Sequence, residues 1–269
     1  MKKEIVMWLI IAVLVVGLLL GTQKAETMAV NFTANDQAIV YDANSQLNSA
    51  SSISVAVAFK RSMRVNIHYL VTNLNDAGTT GFLVGIRDNS LDATQNHNKL
   101  TFIALTSGDL GIWETGANTI LDNTEYTVSV TYDASSVLND PVIQINGAVV
   151  AITEIVTPTG TINIAGDKLV IGNAWLSSSY DYGMDGIIRG AKIYNAIHSS
   201  ASLADIYTSR WASYPKNSLV SCPFLKGAAG LQIFDGATLA AGNTIVDPCS
   251  GAVGVPAGDP VGVGETYLR

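Results

Sequence analysis

Two antiparallel β-sheets packed as a sandwich are what this sequence predicts, and three observations predict it. From Val30 to about Trp211 the chain is a succession of short runs rich in β-branched residues, separated by clusters of Gly, Asn, Asp and Ser. Within those runs residues alternate with period two, so each strand has one face for a core and one for solvent or a second layer. A switch to helical spacing comes late, after Asn195. With 269 residues, 48% hydrophobic and 14% charged, the chain has enough apolar content to bury a large core, which excludes disorder throughout.

The elements follow in order. "SISVAVAF" (52–59), "LTFIAL" (100–105), "YTVSVTY" (126–132) and "PVIQING" (141–147) each alternate as strands should, and "TINIAGDKLVIGN" predicts two more strands around a turn at Gly166 and Asp167. "GIIRGAKIYN" (186–195) sets Ile187, Arg189, Ala191 and Ile193 on one face against Ile188, Gly190, Lys192 and Tyr194 on the other. In "SSASLADIYTSRW", Ser199 and Ser200 are the candidate N-caps of a helix that puts Leu203, Ile206 and Tyr207 on one side.

This closing strand, the "YN" and the short "ASLADIY" helix resemble the end of laminin-G-like, concanavalin A-like lectin domains. Three further segments agree in order: "EYTVSVTYDAS" with its Tyr132 and Asp133, "VIQINGAVV", and "KLVIGN". The resemblance covers about residues 30–210 and implies a two-sheet antiparallel jelly-roll sandwich with a short C-terminal helix. It also implies carbohydrate binding. Where the family carries an acidic pair in its closing strand, this chain has Arg189 and Gly190, so no role resting on those acids is carried over.

Both ends read separately. Residues 1–27 hold Lys2 and Lys3, then the apolar run from Ile5 to Gly21, which predicts a hydrophobic helix serving as a cleaved signal peptide or a retained signal anchor, the membrane contact of the chain. "MAVNFTANDQAIVYD" from Met28 has the form of a natural start, so the sandwich domain is set at 28–212, in a protein displayed outside the cell or on a virion. Residues 213–269 form a Gly/Pro-rich extension, expected to add edge strands at 219–225 and 231–234 and then to wander as an arm. Its Cys222 and Cys249 are either a disulfide, if the segment is exported, or two reduced thiols.

Chemistry is sparse. Net charge is −7 with no basic stripe, which disfavours nucleic acid and anionic membrane surfaces as partners. Past the leader the glutamates are Glu26, Glu114, Glu125, Glu154 and Glu265, none with an acid two residues away, so the closely spaced carboxylates of a glycosidase strand are missing. His68, His97 and His198 lie far apart, without metal-ligand spacing. No catalytic residues are therefore assigned.

Binding residues are assigned. A sugar site needs aromatic rings for the pyranose faces and amides or acids for the hydroxyls. "GNAWLSSSYDYGMDG" supplies both, and the ligand-binding candidates are Asn173, Trp175, Tyr180, Asp181, Tyr182 and Asp185. Trp113 reads as core, and Asp181 and Asp185 leave calcium open as the one cofactor. The expected function is a non-catalytic carbohydrate-binding or adhesion module with a glycan or polysaccharide as partner. The alternatives are a structural or decoration protein of a phage particle or surface assembly, and a polysaccharide hydrolase or lyase, which has only the fold in its favour.

Overall fold

The computed structural model describes residues 25–33, 37–42, 45–62, 67–87, 98–177 and 179–209, and, beyond them, 219–221, 245–246, 253–257 and 261–267. The leader's apolar run, His97, Cys222, Cys249 and the expected 231–234 strand lie outside the described residues. Among the described residues no helix is long and apolar enough to cross a membrane.

Two antiparallel sheets face each other, as the alternation requires. The first contains β1 (Ala25–Phe32), β3 (Ser52–Arg61), β8 (Glu125–Asp133), β9 (Val142–Ile145), β10 (Ala148–Val149), β15 (Gly186–Tyr194), β16 (Leu219–Ser221) and β19 (Val261–Tyr267). Its order is β10-β9-β8-β3-β15-β1-β19, with β16 also pairing β15. The second contains β2 (Ala38–Asp42), β4 (His68–Leu74), β5 (Gly81–Arg87), β6 (Lys99–Ala104), β7 (Gly111–Thr115), β11 (Ile152–Val156), β12 (Lys168–Ile171), β17 (Ile245–Val246) and β18 (Val253–Ala257). Its order is β11-β7-β6-β5-β4-β12-β2-β18-β17. A separate hairpin, β13 (Ala174–Leu176) with β14 (Ser179–Asp181), stands outside both.

Alternate residues of the two sheets meet in one core, including Val55, Val57 and Phe59 from β3, Val128, Val130 and Tyr132 from β8, and Phe82, Val84, Ile86, Phe102 and Trp113 from the second sheet. Trp113 is fully buried, stacks on Phe102 at 5.9 Å between ring centroids, and donates its Nε1–H to Asp140 Oδ1 at 2.8 Å. The β9–β10 hairpin turns at Asn146 and Gly147, both with positive φ (51° and 78°), the combination that matches a two-residue turn to the strand twist. The predicted helix is present as Ser200–Thr208, with Ser199 as its N-cap accepting from Ser202 N, and buries Leu203 and Ile206 against Ala56 and Tyr194 on the outer face of the first sheet.

Three expectations are corrected. In β15 the register to β3 shifts between Ile188 and Gly190, so Ile188 joins Ala191 and Ile193 in the core. A bulge adds one residue to one strand and thereby exchanges the faces beyond it. In "TINIAGDKLVIGN" only β12 is a strand; Ile162 makes a single bridge to Thr106. The C-terminal extension is not an arm throughout, because β18 pairs β2 and β19 pairs β1 from Ala25↔Tyr267 to Asn31↔Val261.

Candidate functional site

The outward face of the second sheet is built from the residues between those that enter the core. Register fixes their neighbours: Tyr69 lies opposite Gly85, Gly85 opposite Thr101, and Thr101 opposite Glu114. One step along, Arg87 lies opposite Lys99. The result is a transverse row of ring, gap, hydroxyl and carboxylate with two cations beside it. The gap is required, since a Cβ on Gly85 would stand 2.6 Å from Tyr69 Cδ1 and 2.8 Å from the His68 carbonyl oxygen.

Glu114 is buried, with 6% of its side chain exposed, and each of its oxygens has its own cation. Arg87 Nη1 donates to Oε1 and Lys99 Nζ to Oε2, both at 3.1 Å, with 39% and 23% of those two side chains exposed. A carboxylate withdrawn from water is tolerated only when paired in this way. Burial first, and then the neighbouring Tyr182, push the Tyr69 hydroxyl up to about 12, while the positive charge of Arg87 draws it down. Arg87 stands two residues along β5 from Gly85, the residue opposite Tyr69, and so flanks the aromatic end of the row.

The "GNAWLSSSYDYGMDG" segment forms the β13–β14 hairpin, with Trp175 opposite Tyr180 and Ala174 opposite Asp181. Ala174 and Leu176 join an apolar cluster with Tyr69, Leu74, Leu83 and Leu105, so the hairpin folds over the outer face of the second sheet. Ser177 N donates to the Asp76 carbonyl at 2.9 Å and holds it there.

The predicted site residues separate accordingly. Asn173 is fully buried, its Nδ2 donating to the Gln37 carbonyl and its Oδ1 accepting from Ala174 N, which makes it part of the hairpin's foundation. Trp175 is half-buried against Ala38, Val40 and Val170, with Lys168 Nζ 5.0 Å from its ring centroid. For Tyr180 and Asp181 the backbone alone is described. Asp185 uses its backbone N–H on His68 Nδ1 and its carbonyl on Ser62 N. Among the described residues no group of three or more His, Cys, Asp or Glu side chains is arranged to hold a metal ion.

Tyr182 differs from all of these. It is 45% exposed, its backbone lies in the left-handed region at φ 68°, and its carbonyl accepts from Tyr69 N at 3.1 Å. Its ring meets that of Tyr69 edge to face, 5.6 Å between centroids at 82°. A tyrosine at positive φ costs on the order of 1 kcal/mol, and such strain is concentrated where a side chain must be presented in one place. Tyr69, Arg87, Lys99, Thr101 and Glu114 were not among the residues that the sequence picks out. The available signal was a polar residue interrupting each apolar strand in "GFLVGIR", "KLTFIAL" and "GIWET".

This architecture defines the class: an antiparallel two-sheet jelly-roll β-sandwich. No family model matches the chain, and no curated protein does. Among solved structures it is similar to a putative carbohydrate binding protein from Bacteroides ovatus, at 15% identity and TM-score 0.61, over 91% of this chain and 61% of that one. It is also similar to the heptameric SAP-like pentraxin of Limulus polyphemus, at 12% identity and TM-score 0.55, over 72% and 88% of the two chains. A third is the CBM40 of Ruminococcus gnavus IT-sialidase bound to alpha2,3 sialyllactose, at 13% identity and TM-score 0.51, over 68% and 97%. These likenesses establish the fold.

Proposed function

We propose that the protein is a non-catalytic carbohydrate-binding module of laminin-G-like type, displayed outside the cell on its N-terminal segment. The observation that carries this reading is Tyr182, an exposed ring held in a strained backbone conformation against Tyr69, beside a row of paired charges on the outer sheet face. An aromatic ring fixed beside hydrogen-bonding groups is what a pyranose needs, since one of its faces is apolar and its rim is all hydroxyl. Two of the similar folds support it: one is a putative carbohydrate binding protein and another holds sialyllactose.

A glycan array probed with the full chain, run with calcium and with a chelator, tests this. Binding to a defined set of glycans that is weakened by Tyr182→Ala is the expected result, and the two arms measure any calcium requirement. Absence of binding to every glycan in both arms overturns the reading and returns the protein to a structural role in a virion or surface assembly.

A further inference from the structure

We infer that the glycan read at this face carries an anionic group, a carboxylate or a sulfate ester, and that Arg87 leaves Glu114 to bind it. This rests on the carbohydrate reading above and names the ligand class within it.

Charge is the first argument. Among the described residues of the cluster, Glu114 holds one negative charge and Arg87 and Lys99 two positive ones, an excess cation on a molecule whose net charge is −7. One cation would neutralise the carboxylate. Of the two, Arg87 is the more exposed, and among the described residues Nη1 is its one hydrogen-bonded nitrogen. The guanidinium carries five donors in a planar fork that fits a carboxylate or sulfate.

Thr101 is the second, independent observation. It is 5% exposed and lies between Gly85 and Glu114 in the row, and its Oγ1 is shut off from solvent without a partner among the described residues. A buried hydroxyl left unpaired is unfavourable, and each such group in a native structure calls for a reason. Residues directly opposite on antiparallel strands have Cβ atoms roughly 5 Å apart, within reach of a hydroxyl–carboxylate hydrogen bond. When Arg87 turns to a ligand anion, Glu114 Oε1 loses a donor and the Thr101 hydroxyl supplies one. Lys99 stays on Oε2 and keeps the buried charge neutralised. The exchange leaves no ion unpaired, and Arg87 reaches the ligand beside the ring of Tyr182.

The test uses the full chain and an array of matched pairs, in which sialylated, uronate-containing and sulfated glycans each stand beside their neutral counterparts. Binding to anionic members at least about tenfold tighter than to their neutral counterparts, and weakening with added salt, is expected, with the carboxylate and sulfate arms identifying the group. Arg87→Gln should abolish that preference. Thr101→Val keeps the side-chain shape, and should weaken the anionic ligand by roughly three- to tenfold while the thermal midpoint holds or rises. Tight binding of neutral glycans alone overturns the inference and leaves the carbohydrate reading standing, whereas no binding at all removes both. Retained preference in Arg87→Gln, or a Thr101→Val protein that loses stability but not affinity, also overturns it.

Discussion

Trp175 and Tyr182 are both aromatic residues of one hairpin segment, and alanine substitutions should separate them. Trp175 is half-buried over Ala38, Val40 and Val170 with Lys168 above it. An aromatic side chain buries 150–250 Å² when enclosed. Half of that, at about 25 cal/mol per Å², is worth roughly 2.5 kcal/mol. The exposed cation–π contact adds about 0.5 kcal/mol. For a domain of this size each kcal/mol moves the midpoint by about 2–4 °C, so Trp175→Ala should lower it by roughly 6–12 °C. Tyr182 is 45% exposed, and the same bookkeeping at the lower aromatic area gives it about 2 kcal/mol, its edge contact with Tyr69 included. Tyr182→Ala should thus shift the midpoint by about 4–8 °C, less than Trp175→Ala. It should weaken glycan binding by about 1–3 kcal/mol, or five- to a hundredfold. Tyr182→Gly should lose the same affinity and be more stable than the alanine variant, because glycine adopts φ 68° without strain. Calorimetric scans and titrations against the best array ligand give all the numbers. Tyr182→Ala binding as tightly as the parent, or destabilised as much as Trp175→Ala, would refute this division of roles.

Three further substitutions probe the scaffold. Ile193→Asp places a carboxylate in the core beside Val55, at a cost of several kcal/mol against a usual total of about 5–15, and should abolish cooperative unfolding; a midpoint within a few degrees of the parent would remove β15 from the centre of the fold. Burial pushes the Lys192 ammonium down to about 6, so between there and the ordinary lysine value near ~10.4 the folded state binds fewer protons than the unfolded chain. Stability should therefore rise with pH across that window, and Lys192→Met should flatten the rise; a urea midpoint for the parent that falls between pH 6.5 and 9.5, relative to the variant, contradicts the assignment. Deleting residues 258–269 removes β19 and its ladder with β1 from Ala25↔Tyr267 to Asn31↔Val261, so the thermal midpoint should fall, and an unchanged midpoint would argue against that pairing.

The parts of the fold that were legible are those where local chemistry and tertiary placement agree. Residues 52–59, 99–104 and 125–133 alternate as their strands require, and Ser199 caps a helix that its own sequence announces. Alternation failed in "GIIRGAKIYN" because a bulge leaves no mark in the residue pattern, and Arg189 occupies the position where faces exchange. It failed in "TINIAG" because that segment meets Thr106 at one bridge and otherwise runs without a ladder, although its residues are strand formers. The candidate site was half legible for the same kind of reason. Tyr182 stood out because a hairpin segment rich in Ser and Gly has few reasons to hold rings. Arg87, Thr101 and Glu114 are 14 and 13 residues apart along the chain and become one row only through the β5–β6–β7 register. Read singly, each is an ordinary polar residue on an amphipathic strand. Register gives them meaning: it puts a hydroxyl without a partner among the described residues opposite a doubly paired carboxylate, and that juxtaposition is what the proposed exchange of partners with a ligand rests on.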